Sequence, residues 1–250
     1  MPERLQTSDG VSIAFEYLQG EPPVVVFLPG FFSHMQGTKA LWLEQKCRER
    51  GQAYLRFDYR GHGESGGRFE NGTISDWLED TLLVLDHVPE GPVLAVGSSM
   101  GGWIALLAAL ARPEIVRGVV GIATAADMTR LMYERRLDDQ QREELYSRGT
   151  IRQPGPYSEE PVTITRRLIE DGERHLLLNR ERLDLDIPVR LIHGKKDADI
   201  PWETSQALQR KIGEERCELI LVPDGEHRLS REQDLELIDR VVRGIHIRQL

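Results

Sequence analysis

Val93-Leu94-Ala95-Val96-Gly97-Ser98-Ser99-Met100-Gly101-Gly102-Trp103 is the stretch on which the fold turns. Its first four residues form a continuous apolar run, which suits a strand covered on both faces. Beyond it, Trp103, Leu106, Leu107 and Leu110 recur as the stripe of a helix. Between strand and helix lies Gly97-Ser98-Ser99-Met100-Gly101, a G-x-S-x-G sequence on a sharp turn. Glycines flank the serine because such a turn brings neighbouring backbone so close that a Cβ would collide. Ser99 is thereby presented at the end of a buried strand, as a candidate nucleophile.

Outward from this turn the same rhythm repeats. Val24-Val25-Val26-Phe27-Leu28 and Val119-Val120-Gly121-Ile122-Ala123 are further continuous apolar runs. Ile187 to His193 and Glu218 to Val222 resume the pattern late in the chain. Helical stretches alternate with them: Thr38 to Arg50 closed by Gly51, the stripe Ile74, Trp77, Leu78, Leu82 and Leu85, and a last helix from about Gln233. This order predicts an α/β fold with a mostly parallel central sheet flanked by helices, whose chemistry lies beyond the carboxyl ends of the strands. Val11 to Tyr17 alternates at period two and is expected as an antiparallel edge strand.

Residues 127–185 break the rhythm. They are charged, helical in tendency and interrupted by Gln153-Pro154-Gly155-Pro156, with no clear strand. The expected organisation is a core of residues 1–126 and 186–250, with residues 127–185 as a helical cap inserted after the sixth strand. Both ends of the insertion fall at the carboxyl edge of the sheet, so it should overhang Ser99. Its apolar positions, such as Leu131, Met132, Tyr133, Leu145, Tyr146, Ile164 and Leu168, should face the core or a ligand.

A serine hydroxyl is a weak nucleophile, so a base must take its proton and a carboxylate must hold that base in the right tautomer. In this arrangement the chain order is serine, acid, histidine. Asp197 lies in the turn after the strand ending at His193, with Asp199 as the rival acid. His227 occupies the loop after the last strand. Of the other histidines, His87 and His246 fall in helical patterns, His175 in the insertion and His193 at a strand end, positions that suit structural roles. His34 follows the strand ending at Leu28 and is a candidate pocket residue. The oxyanion formed on attack needs two backbone N–H donors, one from the residue after the nucleophile and one from the loop after the third strand. Those are Met100 and Phe31, with Gly30 allowing the loop to turn.

Phe57-Asp58-Tyr59-Arg60-Gly61-His62-Gly63-Glu64-Ser65 resembles the D-x-R-G-x-G-x-S loop common among α/β-hydrolases, and a structural role is expected for it. A Walker lysine is absent, and no G-x-G-x-x-G opens a helix.

Further segments resemble one branch of that family, the mammalian mitochondrial α/β-hydrolase domain-containing protein ten and its bacterial relatives. They are Pro29-Gly30-Phe31, Gly37-Thr38-Lys39-Ala40, Arg56-Phe57-Asp58-Tyr59, Gly97 to Trp103, Ala123-Thr124-Ala125-Ala126-Asp127, Tyr157-Ser158-Glu159-Glu160, His193-Gly194 with Asp197, Pro201-Trp202 and His227-Arg228. The branch holds acyl-protein thioesterases and acyl-glucuronide esterases. The resemblance implies the α/β-hydrolase fold, Ser99, Asp197 and His227 as a triad, and hydrolysis of acyl esters or thioesters, acylated proteins included, without metal or cofactor. Carbon–carbon bond hydrolases and acyltransferases share such a triad, and a catalytically silent scaffold shares the fold.

The 250 residues carry a formal net charge of −9, which argues against a nucleic-acid partner. The longest nearly continuous apolar run, Trp103 to Ala111, is too short to cross a bilayer. The first residues, Met1-Pro2-Glu3-Arg4-Leu5-Gln6, lack an apolar core, and their acid suits a transit peptide poorly, so a cytoplasmic location is expected. Cys47 and Cys217 have no metal-type spacing and are expected as buried thiols.

Overall fold

The computed structural model describes residues 2–87, 91–155 and 161–247. In chain order the first half comprises β1 (Glu3–Gln6), β2 (Ser12–Leu18), β3 (Glu21–Leu28), α1 (Thr38–Glu49), β4 (Gln52–Phe57), α2 (Ile74–Asp86), β5 (Val93–Ser98), α3 (Met100–Ala111) and β6 (Val116–Ile122). There follow α4 (Met128–Leu131), α5 (Asp139–Arg148), β7 (Thr150–Gln153), β8 (Val162–Thr165) and α6 (Arg166–Gly172). The chain then returns as β9 (Val189–Gly194), α7 (Glu203–Ile212), β10 (Cys217–Val222) and α8 (Glu232–Gly244).

Eight strands join in one sheet, ordered β1-β2-β4-β3-β5-β6-β9-β10. From β4 to β10 every pairing is parallel, whereas β2 runs antiparallel to both β1 and β4. The strand expected at Val11 to Tyr17 is therefore present as β2 but is not the edge. The four residues of β1 lie outside it, too short and too exposed to declare themselves by pattern.

Alternate residues of each central strand feed opposite faces. Val24, Val26 and Leu28 pack with Trp77, Trp103 and Leu208 of α2, α3 and α7. Val25 and Phe27 pack with Leu43 and Cys47 of α1 and Ile238 and Val242 of α8. Both cysteines are buried free thiols. Helix α3 is buried from Met100 to Ala109, since it lies on the sheet under neighbouring elements rather than at the surface.

The segment between β6 and β9 holds strands, contrary to the reading of residues 127–185 as helical only. β7 and β8 form an antiparallel pair in register from Thr150 with Thr165 to Gln153 with Val162. Each has four residues, so the alternation of buried Ile151, Val162 and Ile164 with threonine and arginine is too brief to stand out. These residues join Leu137, Leu145 and Ile169 in a small separate core, while Leu168 packs into the main one. Tyr146 is exposed. Tyr157-Ser158-Glu159-Glu160 lies outside the described residues.

Two buried carboxylates moor this segment. Asp127, at φ 58°, accepts N–H bonds from Leu177 at 2.8 Å and Leu178 at 3.0 Å, closing its two ends on each other. Asp171 of α6 accepts the backbone N–H and the hydroxyl of Ser75 on α2, each at 2.8 Å.

Candidate active site

Ser99 sits between β5 and α3 at φ 54° and ψ −117°, a conformation costly for any residue bearing a Cβ. The glycines beside it are required by contact. A Cβ on Gly97 would lie 2.1 Å from the Gly101 carbonyl oxygen, and one on Gly101 would lie 2.1 Å from that of Leu28. Helix α3 can thus press against β3, and the Ser99 N–H is held by the Ile122 carbonyl at 2.8 Å.

The structure brings the three residues singled out by chain order into one hydrogen-bonded line. His227 Nε2 lies 3.0 Å from Ser99 Oγ, and His227 Nδ1 lies 2.7 Å from Asp197 Oδ2. A carboxylate only accepts, so Nδ1 carries the proton and Nε2 is left to accept from the serine hydroxyl. The Asp197 side chain is fully buried. Its Oδ1 accepts the N–H groups of Asp199 and Ile200, each at 2.8 Å, and its Oδ2 also accepts His193 Nε2–H at 3.0 Å. Burial alone would push this carboxyl up, but bonds from His193, His227 and Ile200 outweigh it and hold it well below the usual carboxylate range.

Asp199 lies close by, but no hydrogen bond among the described residues joins its carboxylate to His227. Its side chain is largely exposed, its Oδ1 pairs with Arg136 at 3.5 Å, and its carbonyl accepts from Arg136 Nη2 at 2.7 Å. Asp197, Asp199 and His227 approach one another as closely as a ligand set would. The oxygens of Asp197 and Nδ1 of His227 are already committed to one another and to the neighbours above.

Met100 opens α3, so its N–H has no intrahelical partner. On the other side of Ser99, a Cβ on Gly30 would lie 3.3 Å from the Ser99 Cβ, which places the β3–α1 loop against the serine. Phe31 in that loop packs edge-on against Phe69 and Trp77, at 5.0 and 5.9 Å between ring centres. Phe32 adopts φ 56°, and its N–H donates to Nε2 of buried His62 at 3.3 Å. Burial, partly offset by the Arg60 carbonyl at Nδ1 and reinforced by His34, lowers the His62 pKa to about 4 and keeps the ring a neutral acceptor.

Among the described residues, two cavities open on Ser99 and His227. One, about 60 Å³, is lined by Phe31, Ala125, Met128, Leu131, Met132 and Ile200, with Arg136 and Asp199. The other, about 210 Å³, contains Ser33, His34, Thr38, Lys39 and Arg228.

Sequence reasoning missed His193, His62, Lys39 and Arg136. His193 does more than end a strand: it is fully buried, with Nδ1 2.7 Å from Ser205 Oγ. Its place four residues before Asp197, at the carboxyl end of a parallel strand, was the available signal. A second serine, histidine and aspartate meet at Ser75, His175 and Asp171, where Ser75 Oγ lies 2.7 Å from His175 Nε2. There the hydroxyl proton is given to Asp171, so the group fastens helices together.

Residues 25–240 match the model of the alpha/beta hydrolase family. The chain is 38% identical over 235 residues to human mitochondrial palmitoyl-protein thioesterase ABHD10, covering 94% of this chain and 76% of that protein. Mouse alpha/beta hydrolase domain-containing protein 10 superposes with a TM-score of 0.89 at 37% identity, covering 97% of both chains. A putative hydrolase from Agrobacterium vitis S4 superposes with a TM-score of 0.91 at 38% identity, again over 97% of both.

The cytoplasmic location expected above is contradicted by the ABHD10 relatives, which are mitochondrial proteins. The physical reason is that compartment is decided by address sequences rather than by a folded catalytic body, so the charge of a few N-terminal residues was a poor guide. Among the described residues no helix is long and apolar enough to cross a membrane.

Proposed function

The chain belongs to the alpha/beta hydrolase family, and we propose that within it this protein is a serine hydrolase of carboxylic esters or thioesters that works through an acyl-enzyme. The observation that carries this reading is the hydrogen-bonded line from Ser99 through His227 to Asp197. His227 Nε2 takes the hydroxyl proton as Ser99 Oγ attacks the acyl carbon, and Asp197 stabilises the imidazolium that forms. The oxyanion is received by the N–H groups of Met100 and Phe31. Collapse expels the alcohol or thiol, which takes the proton from His227, and leaves the acyl group on Ser99. Water, deprotonated by the same nitrogen, then releases the acid and regenerates the serine.

Residues 127–185 act in this reading as a cap that supplies the acyl side of the site. Met128, Leu131 and Met132 come from that segment, and with Phe31, Ala125 and Ile200 they give the small cavity a mostly apolar lining beside the Arg136–Asp199 pair. The cavity is small, but methionine side chains adapt their shape, so a longer chain can enter by displacing Met128 and Met132. Thioesters, including those of acylated proteins, are favoured by similarity to relatives named palmitoyl-protein thioesterases. A fluorophosphonate probe tests the reading: the wild type labels covalently at Ser99 and Ser99→Ala does not. Absence of labelling in the folded wild type refutes it.

A further inference from the structure

The turn that carries Phe31 is strained at its next residue. Ser33 N–H donates to the Gly30 carbonyl at 3.1 Å, so residues 30–33 form a turn with Phe31 and Phe32 at its middle. Phe32 stands there at φ 56°, a conformation in which glycine or asparagine is usual and a bulkier side chain is disfavoured. Rotating the peptide plane between Phe31 and Phe32 would convert the turn to an ordinary one and release that strain. A bond to the Phe32 N–H opposes the rotation.

The acceptor of that bond is His62. Its Nε2 faces the Phe32 N–H at 3.3 Å, and its Nδ1 lies 3.2 Å from the Arg60 carbonyl, which can only accept. Both neighbours therefore demand the same tautomer, with the proton on Nδ1 and Nε2 bare. The ring is buried and cannot turn away, since it packs edge-on against Phe69, Trp77 and Tyr59 with centres 5.1, 5.3 and 5.7 Å apart. Further along the Phe31 loop, Met35 N–H donates to Oδ1 of buried Asp58 at 2.6 Å, so the loop after β4 grips it twice. The D-x-R-G-x-G-x-S pattern includes that aspartate but leaves position 62 open, so the pattern does not account for this histidine.

We propose that His62 is a positioning residue of the reaction: its bare Nε2 holds the peptide that follows Phe31 and thereby keeps the Phe31 N–H aimed at the oxyanion. The role rests on the acyl-hydrolase reading, in which Phe31 and Met100 receive that charge. It differs from filling the core, because another aromatic ring could take the same space but could not accept the Phe32 N–H. His62 moves no proton in this role and touches no substrate atom.

Kinetics with p-nitrophenyl octanoate test this, with folding of each variant checked by thermal melting. His62→Phe keeps a ring and removes the acceptor, and should lower kcat by about tenfold or more with KM within about threefold, because an oxyanion donor acts in the transition state. His62→Gln places a carbonyl oxygen near the lost Nε2 and should recover most of kcat. Octaneboronic acid, whose adduct with the serine presents a tetrahedral oxygen to the same donors, should bind His62→Phe more weakly by the factor that kcat/KM loses. A wild-type kcat or boronate affinity in His62→Phe, or a His62→Gln enzyme as slow as His62→Phe, overturns the role while leaving the hydrolase reading intact. If His62→Phe does not fold, His62→Leu takes its place, and nitrogen-15 NMR of the wild type gives an answer independent of both. At pH 7 His62 should carry its proton on Nδ1 alone, and a proton on Nε2 overturns the role. A wild type that neither cleaves the ester nor reacts with a fluorophosphonate overturns the hydrolase reading and the role with it.

Discussion

His193 donates its Nε2–H to the same oxygen of Asp197 that accepts the Nδ1–H of His227, at 3.0 and 2.7 Å respectively. Together with the N–H groups of Asp199 and Ile200, this leaves the Asp197 carboxylate no freedom to turn. These bonds favour Asp197 over its neighbour as the acid of the proposed triad. Asp197→Asn should lower kcat by about 10⁴-fold, because an amide NH₂ facing Nδ1 favours the wrong tautomer. Asp199→Asn loses only an exposed pairing with Arg136 and should stay within about fivefold of wild type. Steady-state kinetics of the two variants decide the matter, and the reverse ranking would transfer the role.

In the proposed mechanism Ser99 and His227 move one proton between them, so they should behave as a unit. Ser99→Ala and His227→Ala are each expected to reduce kcat by several orders of magnitude, and the double variant to be scarcely slower than either. Losses that multiply in the double variant would contradict a shared step.

His62 gives the fold an acid sensitivity that can be isolated. Its pKa is about 4 in the folded protein against an ordinary 6.5, so between these values the unfolded chain binds a proton that the folded chain refuses. Its contribution is fully present above about pH 6.5, declines as pH falls and is exhausted near pH 4, amounting to about 3 kcal/mol over the window. Urea unfolding at pH 7, 5.5 and 4.5 should show a flatter decline for His62→Gln than for wild type. Parallel declines would show that His62 is not the responsible group.

Met132 lines the mostly apolar cavity, whereas Leu168 packs in the main core, so only the former should control acyl length. Met132→Trp should reduce the octanoyl-to-acetyl ratio of kcat/KM by about tenfold, the equivalent of two methylenes excluded from apolar contact. A set of p-nitrophenyl esters measures the ratio, and an unchanged value would place the chain elsewhere.

What was legible in the sequence depended on how local its cause was. The turn at Ser99 could be read because its requirements fall within Gly97 to Gly101 and the elements on either side. Strands such as β3 and β5 announced themselves because burial on both faces leaves an uninterrupted apolar run. The hairpin of β7 and β8 did not, since each strand shows a single buried face over four residues. His193, His62 and Lys39 were illegible for another reason. His62 and Lys39 work through partners 30 and 189 residues away, which nothing in the chain nearby marks, whereas His193 has only its spacing of four residues from Asp197 as a local sign.

The direct pairing of β6 with β9 has a consequence for how this chain can change. Residues 123–188 leave one strand and return to its immediate neighbour, so the sheet itself clamps both ends of the excursion. Lengthening a clamped loop is cheap in entropy, about 0.6 kcal/mol for each doubling. Replacement or regrowth of that segment can therefore proceed while the registers that carry Ser99, Asp197 and His227 stay as they are. For an engineer, or for natural variation, the natural graft points are Ala123 and Pro188, where the transplant begins and ends on hydrogen bonds that the host sheet already provides.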